Sequence, residues 1–151
     1  MIMLKNALRN APFCYISPIR VFEWLLIISC ICAGKGMIFK MKNLGYYNGK
    51  FGPLEEMMVP MNDRVCYFGD GVYDATYSRN GVIFALDEHI DRFFNSAGLL
   101  RIELPCTKDE MKDILNDMVS KVDSGNNFVY WQATRGTGIR NHAFPKEGKA
   151  N

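Results

Sequence analysis

Two Asn-Gly steps constrain the fold of this chain more than any other feature, because each lies between runs of aromatic or β-branched residues. The first step is in YYNGKFGP, at residues 46–53, and the second separates VYDATYSR from VIFAL. Both residues of such a turn must accept a positive φ angle, so each step predicts a β-hairpin. The side chains of VYDATYS alternate between two faces of the second hairpin, and Tyr73 is expected to be the first that points inward.

Two amphipathic helices are predicted after the second hairpin. Asp87 is placed at the N-cap of the first helix, which has apolar residues at helical spacing and extends to about Leu100. The second helix begins with the sequence of a capping box and ends near Ser124-Gly125. Its apolar stripe consists of Met111, Ile114, Leu115 and Met118. The short run FVYWQAT that follows is rich in aromatic and β-branched residues and predicts a buried strand, so we expect an α+β fold with an antiparallel sheet and two helices.

The first forty residues differ from the rest of the chain. Cationic residues precede WLLIISCICAG, an apolar run shorter than the ~20 residues that span a bilayer. A signal or lipid anchor processed at Cys30 is one explanation. The other is upstream sequence translated from a misassigned start, with Met37 or Met41 as the true beginning, and it is favoured because nothing after Met41 looks secreted. The expected division is an atypical leader outside the fold at 1–40, a domain at 41–145 and a truncated end at 146–151.

Charge and cysteine usage exclude several classes of function. The formal net charge is +2, but residues 1–40 carry five cations against one anion, so the remainder is mildly acidic. A mildly acidic domain argues against nucleic-acid binding. The five cysteines are odd in number and form no CxxC pair, which favours reduced thiols in a cytoplasm over a disulfide framework or a zinc site. We therefore expect a cytoplasmic protein without a metal site and without membrane contact.

Three stretches contain residues suited to holding a ligand or an anion. The glycines of FGDGVYD let the backbone bend or let a ligand approach it, and a tight turn with Tyr73 in the core is the commoner reason for such glycines. In DEHIDRFF, His89 and Arg92 share a helix face, which suits a phosphate or a solvated surface. In TRGTGIRNHAFP, Arg140 and His142 point the same way if the segment is extended. They then offer several donors to one carboxylate, and a solvated basic loop is the alternative.

Taken together and in this order, YFGDGVYDATY, LDEHIDRFFNSA and TRGTGIRNHAFP resemble the fold-type IV pyridoxal-phosphate-dependent aminotransferases. The resemblance covers residues 45–145 or so, and it is strongest to the branch that acts on D-amino acids such as D-alanine. It implies the cofactor pyridoxal 5'-phosphate, amino acids and 2-oxo acids as substrates, and a homodimer whose binding residues reach across the interface. The Arg-x-His pair is the feature that points to the D-amino-acid branch.

The resemblance also implies a role for each candidate residue. Arg92 would grip the cofactor phosphate. Tyr73, Arg140 and His142 would form a trap for the substrate α-carboxylate, and His89 would support the trap.

The family's Schiff-base lysine, and the carboxylate that holds the pyridine nitrogen, belong to a second domain that would begin where this chain ends. No lysine of this chain matches the family's lysine, so no catalytic residue is assigned. We expect an N-terminal fragment that is inactive as given. A branched-chain aminotransferase, an aminodeoxychorismate lyase or a non-catalytic fragment are the alternatives.

Overall fold

The computed structural model describes residues 2–6, 42–123, 125–143, 145 and 150–151, with backbone alone for residues 2–6. The elements of these residues are, in chain order, β1 (Ile2–Asn6), β2 (Leu44–Tyr47), β3 (Lys50–Pro53), a 3₁₀ turn (Leu54–Glu56), α1 (Arg64–Phe68), β4 (Gly71–Arg79), β5 (Val82–Ile83), α2 (Leu86–Leu99), α3 (Lys108–Ser120) and β6 (Asn126–Thr134).

The strands form one antiparallel sheet in the order β3-β2-β1-β6-β4-β5. The longest pairing joins β4 to β6, from Gly71 opposite Thr134 to Arg79 opposite Asn126. With the helices on this sheet, the predicted α+β class and the antiparallel sheet are confirmed.

Both predicted hairpins are confirmed. Asn48 and Gly49 connect β2 to β3 with φ angles of 47° and 84°, and Asn80 and Gly81 connect β4 to β5 with 50° and 80°. These positive angles are those that a two-residue turn requires, so the turn chemistry sets the local fold.

The strand β1 corrects the expectation that residues 1–40 lie outside the fold. Residues 2–6 pair with β2 through Leu4 opposite Leu44, and with β6 through Ile2 opposite Trp131. The expectation is wrong for this segment, because a strand of five residues is too short to show a periodic pattern and its partners are far away in the chain. The apolar run from Trp24 to Gly34 lies outside the described residues.

The two predicted helices are present, with changes at their ends. The capping box is confirmed, because Glu110 Oε2 accepts from the Thr107 backbone N–H at 2.8 Å and Thr107 Oγ1 accepts from the Glu110 N–H at 3.3 Å. The placement of Asp87 as an N-cap is wrong. The residue before α2 is Ala85, which has a left-handed conformation. Asp87 lies in the first turn, where its negative charge interacts favourably with the helix dipole. The helix α3 ends at Ser120, before the predicted end.

The core lies between α2, α3 and one face of the sheet. Its fully buried large side chains include Leu44, Ile90, Phe93, Leu115, Met118, Val129 and Trp131. The alternation along β4 is confirmed, but its inward face is the opposite of the expected one. Asp74 and Thr76 point toward the helices, whereas Tyr73 is 69% exposed on the other face. The polar side chains are tolerated inside because they are bonded, as Thr76 Oγ1 is to the Phe84 carbonyl at 3.0 Å.

Within the described ranges, no helix is long and apolar enough to cross a membrane. The same residues contain no group of three or more side chains arranged as metal ligands. Cys66 and Cys106 are free thiols.

Candidate functional site

The first charged cluster joins β4 to the start of α2. Asp74 Oδ2 accepts from Arg92 Nε at 2.8 Å, and Asp74 Oδ1 accepts from Arg92 Nη2 at 2.6 Å. His89 Nδ1 lies 2.9 Å from Asp74 Oδ1 and 3.0 Å from Arg92 Nη2. The helix spacing of three residues therefore does place His89 and Arg92 on one side of α2, and a buried carboxylate holds both of them.

The electrostatics of this cluster follow from burial and pairing. Burial on its own raises the pKa of the Asp74 carboxyl, but hydrogen bonds from Arg92, His89 and the Ala75 N–H outweigh it, so the pKa lies below its usual value. The Asp74 side chain is 2% exposed, whereas that of Arg92 is 64% exposed. Arg92 is thus fixed along one edge of its guanidinium and open to solvent along the other.

The second cluster is formed by the loop after β6 and the short helix α1. The guanidinium carbon of Arg140 lies 5.5 Å from the centre of the Phe68 ring, and the His142 ring lies 5.3 Å from it. Arg140 and His142 are both exposed. The sequence analysis expects these two side chains to point the same way if the segment is extended, and the structure places both of them against one aromatic ring.

A buried ion cluster lies beneath this loop. Asp70 accepts from Arg64 Nε at 2.7 Å, and from Arg135 Nε at 2.9 and 3.0 Å. Burial on its own raises the pKa of Asp70, but the hydrogen bonds and charges of Arg135 and Arg64 outweigh burial, so the net shift of the pKa is downward. Arg64 also donates from Nη1 to the carbonyl of Asn141 at 3.0 Å.

The sequence analysis missed Asp74, Arg64 and Asp70. The sequence analysis placed Tyr73 on the inward face of β4, so Asp74 was expected outside, where a carboxylate needs no cationic partner. The two glycines of the Gly-Asp-Gly turn are required by backbone conformation and close packing. Gly69 ends α1 in the left-handed region at φ 64°, and a Cβ on Gly71 would lie 2.7 Å from the Ala133 carbonyl oxygen.

Tyr73 lies apart from both clusters. It is next to Asp74 in β4, so its side chain points to the opposite face of the sheet from Arg92 and His89. Its ring stacks on Tyr130 at 5.7 Å, and burial together with the nearby Tyr73 raises the pKa of Tyr130. Among the described residues, no hydrogen bond or ring contact joins Tyr73 to Arg140 or His142. The five predicted residues are therefore distributed over three places.

A cavity of about 370 Å³ lies elsewhere, between α3 and the sheet. Its walls include Leu104, Cys106, Met111, Ile114 and Trp131. None of the five predicted residues lines it, so the charged clusters are better candidates for a site that binds anions.

The five predicted residues lie in a region that matches known proteins. A family model described as amino-transferase class IV matches residues 71–150. The D-alanine aminotransferase of Staphylococcus haemolyticus is 36% identical over 100 residues, which cover 66% of this chain and 36% of the relative. That of Listeria monocytogenes serotype 1/2a is 37% identical over 94 residues, covering 62% and 32%. The chain thus spans about a third of the length of these curated relatives.

Solved structures show the same fold. The branched-chain amino acid aminotransferase of T.th., in complex with N-(5'-phosphopyridoxyl)-L-glutamate, superimposes with a TM-score of 0.60 at 26% identity, over 65% of this chain and 34% of that one. The 4-amino-4-deoxychorismate lyase of Pseudomonas aeruginosa superimposes with a TM-score of 0.54 at 23% identity, over 62% and 33%.

Proposed function

The chain belongs to the class IV aminotransferases, and from that membership we propose that it is the N-terminal part of a D-amino-acid aminotransferase. Such an enzyme exchanges an amino group between a D-amino acid, such as D-alanine, and a 2-oxo acid. Relatives named D-alanine aminotransferase, at 36% and 37% identity, support the D-amino-acid branch.

The observation that carries the proposal is the pairing of Arg140 and His142 on the Phe68 ring. A guanidinium offers two parallel N–H donors, which match the two oxygens of a carboxylate, and the imidazole beside it adds a further donor. Both side chains are exposed, so a substrate can reach them. We assign to them the binding of the substrate α-carboxylate.

Tyr73 is assigned to the same trap, but from a second copy of the chain. Its contacts in one chain are to Tyr130, on the open face of the sheet. A homodimer in which this face meets the loop of the partner would bring the three side chains together. The homodimer is part of the proposal.

The donor set also fits the phosphate of pyridoxal 5'-phosphate. Arg92 keeps its Nη1 without a hydrogen-bond partner among the described residues, and Asp74 fixes its orientation through the other two nitrogens. A pre-oriented guanidinium edge open to solvent is suited to phosphate oxygens. His89, held by the same carboxylate, would support the site from beneath.

When bound, the cofactor supplies the electron sink that makes the α-carbon of the amino acid acidic. The residues of this chain orient the reactants. Arg92 is assigned to the cofactor end and Arg140 and His142 to the carboxylate end, so that the bound reactants are oriented relative to each other. The chain as given has no lysine matched to the family's covalent lysine, so we propose that it has no transaminase activity by itself.

A branched-chain aminotransferase is the second candidate, and the 26% identity to the solved branched-chain enzyme favours it. The two candidates differ in the substrate stereochemistry that they accept.

The test uses the polypeptide extended through the rest of its gene, with 2-oxoglutarate as amino acceptor. We expect D-alanine to react faster than L-leucine, with no turnover by residues 1–151 under the same conditions. A preference for L-leucine would replace the proposal with the branched-chain candidate, and turnover by residues 1–151 would contradict the proposed inactivity.

A further inference from the structure

The short helix α1 lies directly beneath the loop that carries Arg140 and His142. Arg64 and Phe68 are one helical turn apart, so they project from the same side of α1. Both side chains contact the loop, Arg64 through Asn141 and Phe68 through the two side chains on either side of Asn141.

Arg64 is a buried arginine that bonds to the backbone of the loop. Its side chain is 5% exposed, and its guanidinium is shared between the Asp70 carboxylate and the backbone carbonyl of Asn141. That carbonyl belongs to the residue between Arg140 and His142. The hydrogen bond therefore fixes the orientation of a peptide group that lies between the two side chains. The Arg64 guanidinium is buried and already bonded to Asp70 and to that carbonyl, so Arg64 does not itself take up a bound anion.

Phe68 supplies the surface on which the pair rests. Its ring is contacted by the Arg64 guanidinium carbon at 4.9 Å, by that of Arg140 at 5.5 Å and by the His142 ring at 5.3 Å. A cation over an aromatic face is attracted by the ring quadrupole. The flat ring limits the conformations of two side chains that are otherwise in solvent.

The backbone ties the same two segments together. The Arg64 N–H donates to the Gly136 carbonyl at 2.9 Å, and the Gly138 N–H donates to the Asn62 carbonyl at 3.0 Å. These bonds fix the start of the loop. Beyond Gly138, the next described hydrogen bond from α1 to the loop is that from Arg64 to the Asn141 carbonyl.

We propose that Arg64 and Phe68 are positioning residues, which hold Arg140 and His142 in the arrangement that binds a carboxylate. That the ligand is a carboxylate depends on the function proposed above, whereas the ordering of the loop by Arg64 and Phe68 does not. A binding site whose donors are already ordered loses less entropy when it takes its ligand, so Arg64 and Phe68 should set substrate affinity without touching the substrate.

The first experiment measures loop order in residues 1–151, whether or not the protein is a transaminase. The chain has two histidines, and both can be followed by NMR of their ring carbons and protons. The Phe68 ring shifts the signals of His142, while His89 lies in the other cluster and serves as an internal control for folding.

In Arg64→Met, we expect the His142 signals to move toward those of a free histidine while the His89 signals stay in place. Asp70 keeps Arg135 as its partner, so this variant leaves no unpaired buried carboxylate. Arg64→Lys keeps the charge but not the fork that serves both Asp70 and Asn141, and it should give the same result if Arg64→Met does not fold. Arg79→Met, on the exposed end of β4, is the matched control. Unchanged His142 signals in a folded Arg64 variant would overturn the proposal.

The second experiment measures kinetics in the extended polypeptide. Arg64→Met and Phe68→Leu should raise KM for amino acids about tenfold, the factor expected if the disordered Arg140–His142 pair loses the equivalent of one charge-assisted hydrogen bond to the substrate, with kcat and cofactor absorbance little changed. Phe68→Tyr keeps the ring and should restore KM. Equal losses in kcat and cofactor content would mean that α1 is merely structural. If the wild type shows no transamination, the proposed function fails and the NMR result still decides the positioning role.

Discussion

At the scale of single residues, the two arginines assigned to anions are held in different ways. Arg92 is oriented by two hydrogen bonds to the buried Asp74, whereas the described contact of Arg140 is to the face of the Phe68 ring. A guanidinium bonded to a carboxylate is pre-oriented, and one that rests on a ring keeps its N–H donors free for a ligand. This difference is the reason why Arg92 is proposed to hold a resident cofactor and Arg140 an exchanging substrate.

This difference leads to a prediction for the extended polypeptide. If Arg140 binds the carboxylate in ground and transition states alike, as proposed, Arg140→Met should raise KM for every α-amino acid by about 10- to 100-fold with a smaller change in kcat. Arg92→Met should instead loosen pyridoxal phosphate first. Steady-state kinetics and titration of cofactor absorbance separate the two effects.

Each variant is the control for the other, and Arg79→Met controls for the loss of a surface arginine. Release of cofactor by Arg140→Met with KM unchanged would contradict the assignment of both residues.

At the scale of elements, some features are set by adjacent residues and others by contacts with distant ones. The Asn-Gly turns at 48–49 and 80–81, and the capping box at the start of α3, each depend on a few adjacent residues, and all were predictable. The inward face of β4 was not. Asp74 is buried because Arg92 and His89 reach it from α2, a pairing that the alternation of the strand alone does not reveal.

The strand β1 is the clearest case of an element set by distant partners. Its backbone bonds to β2 on one side and to β6 on the other, so it fills the middle of the sheet. Without it, the facing edges of β2 and β6 would have unpaired N–H and C=O groups. We therefore predict that deletion of residues 1–41 lowers the free energy of unfolding by at least about 2 kcal/mol, since several hydrogen bonds are lost.

A second variant separates β1 from the rest of the leader. Asn6 and Lys42 face each other in the β1–β2 register, because Leu4 is opposite Leu44 in an antiparallel pair. Replacing residues 7–41 by Asn-Gly would therefore close a two-residue hairpin. Urea denaturation should place this variant within about 1 kcal/mol of the whole chain. If both variants are as stable as the whole chain, β1 is dispensable, as the sequence first suggested.

At the scale of the whole molecule, the helices cover one face of the sheet and leave aromatic side chains on the other. Tyr73 and Tyr77 are 69% and 62% exposed there, beside Tyr130 and Phe128. The charged cluster around Asp74 lies on the helix side of the sheet, and the cluster around Arg140 lies in the loop after β6. Under the proposed function, a trap that includes Tyr73, Arg140 and His142 draws on two copies of the chain, a pairing that the alternation of β4 does not reveal.

A complementation experiment tests that requirement in the extended polypeptide. Tyr73→Phe and Arg140→Met each weaken the trap, and purified separately each should have low activity at limiting substrate. If Tyr73 of one copy meets Arg140 of the other, a mixed dimer contains one site with both changes and one site with neither. Unfolding and refolding an equal mixture makes about half of the dimers mixed, so about a quarter of the wild-type sites should return.

The control for this experiment mixes Arg140→Met with His142→Ala. These two residues rest on the same Phe68 ring within one chain, so each site of their mixed dimer still carries one change, and refolding should restore no activity. The same outcome for Tyr73→Phe with Arg140→Met would mean that Tyr73 and Arg140 of a site come from one chain, or that Tyr73 takes no part in the trap. A return of activity in the first mixture but not in the second would place Tyr73 opposite the loop of the partner, because only a site that draws on both copies can collect the two changes and leave its neighbour intact.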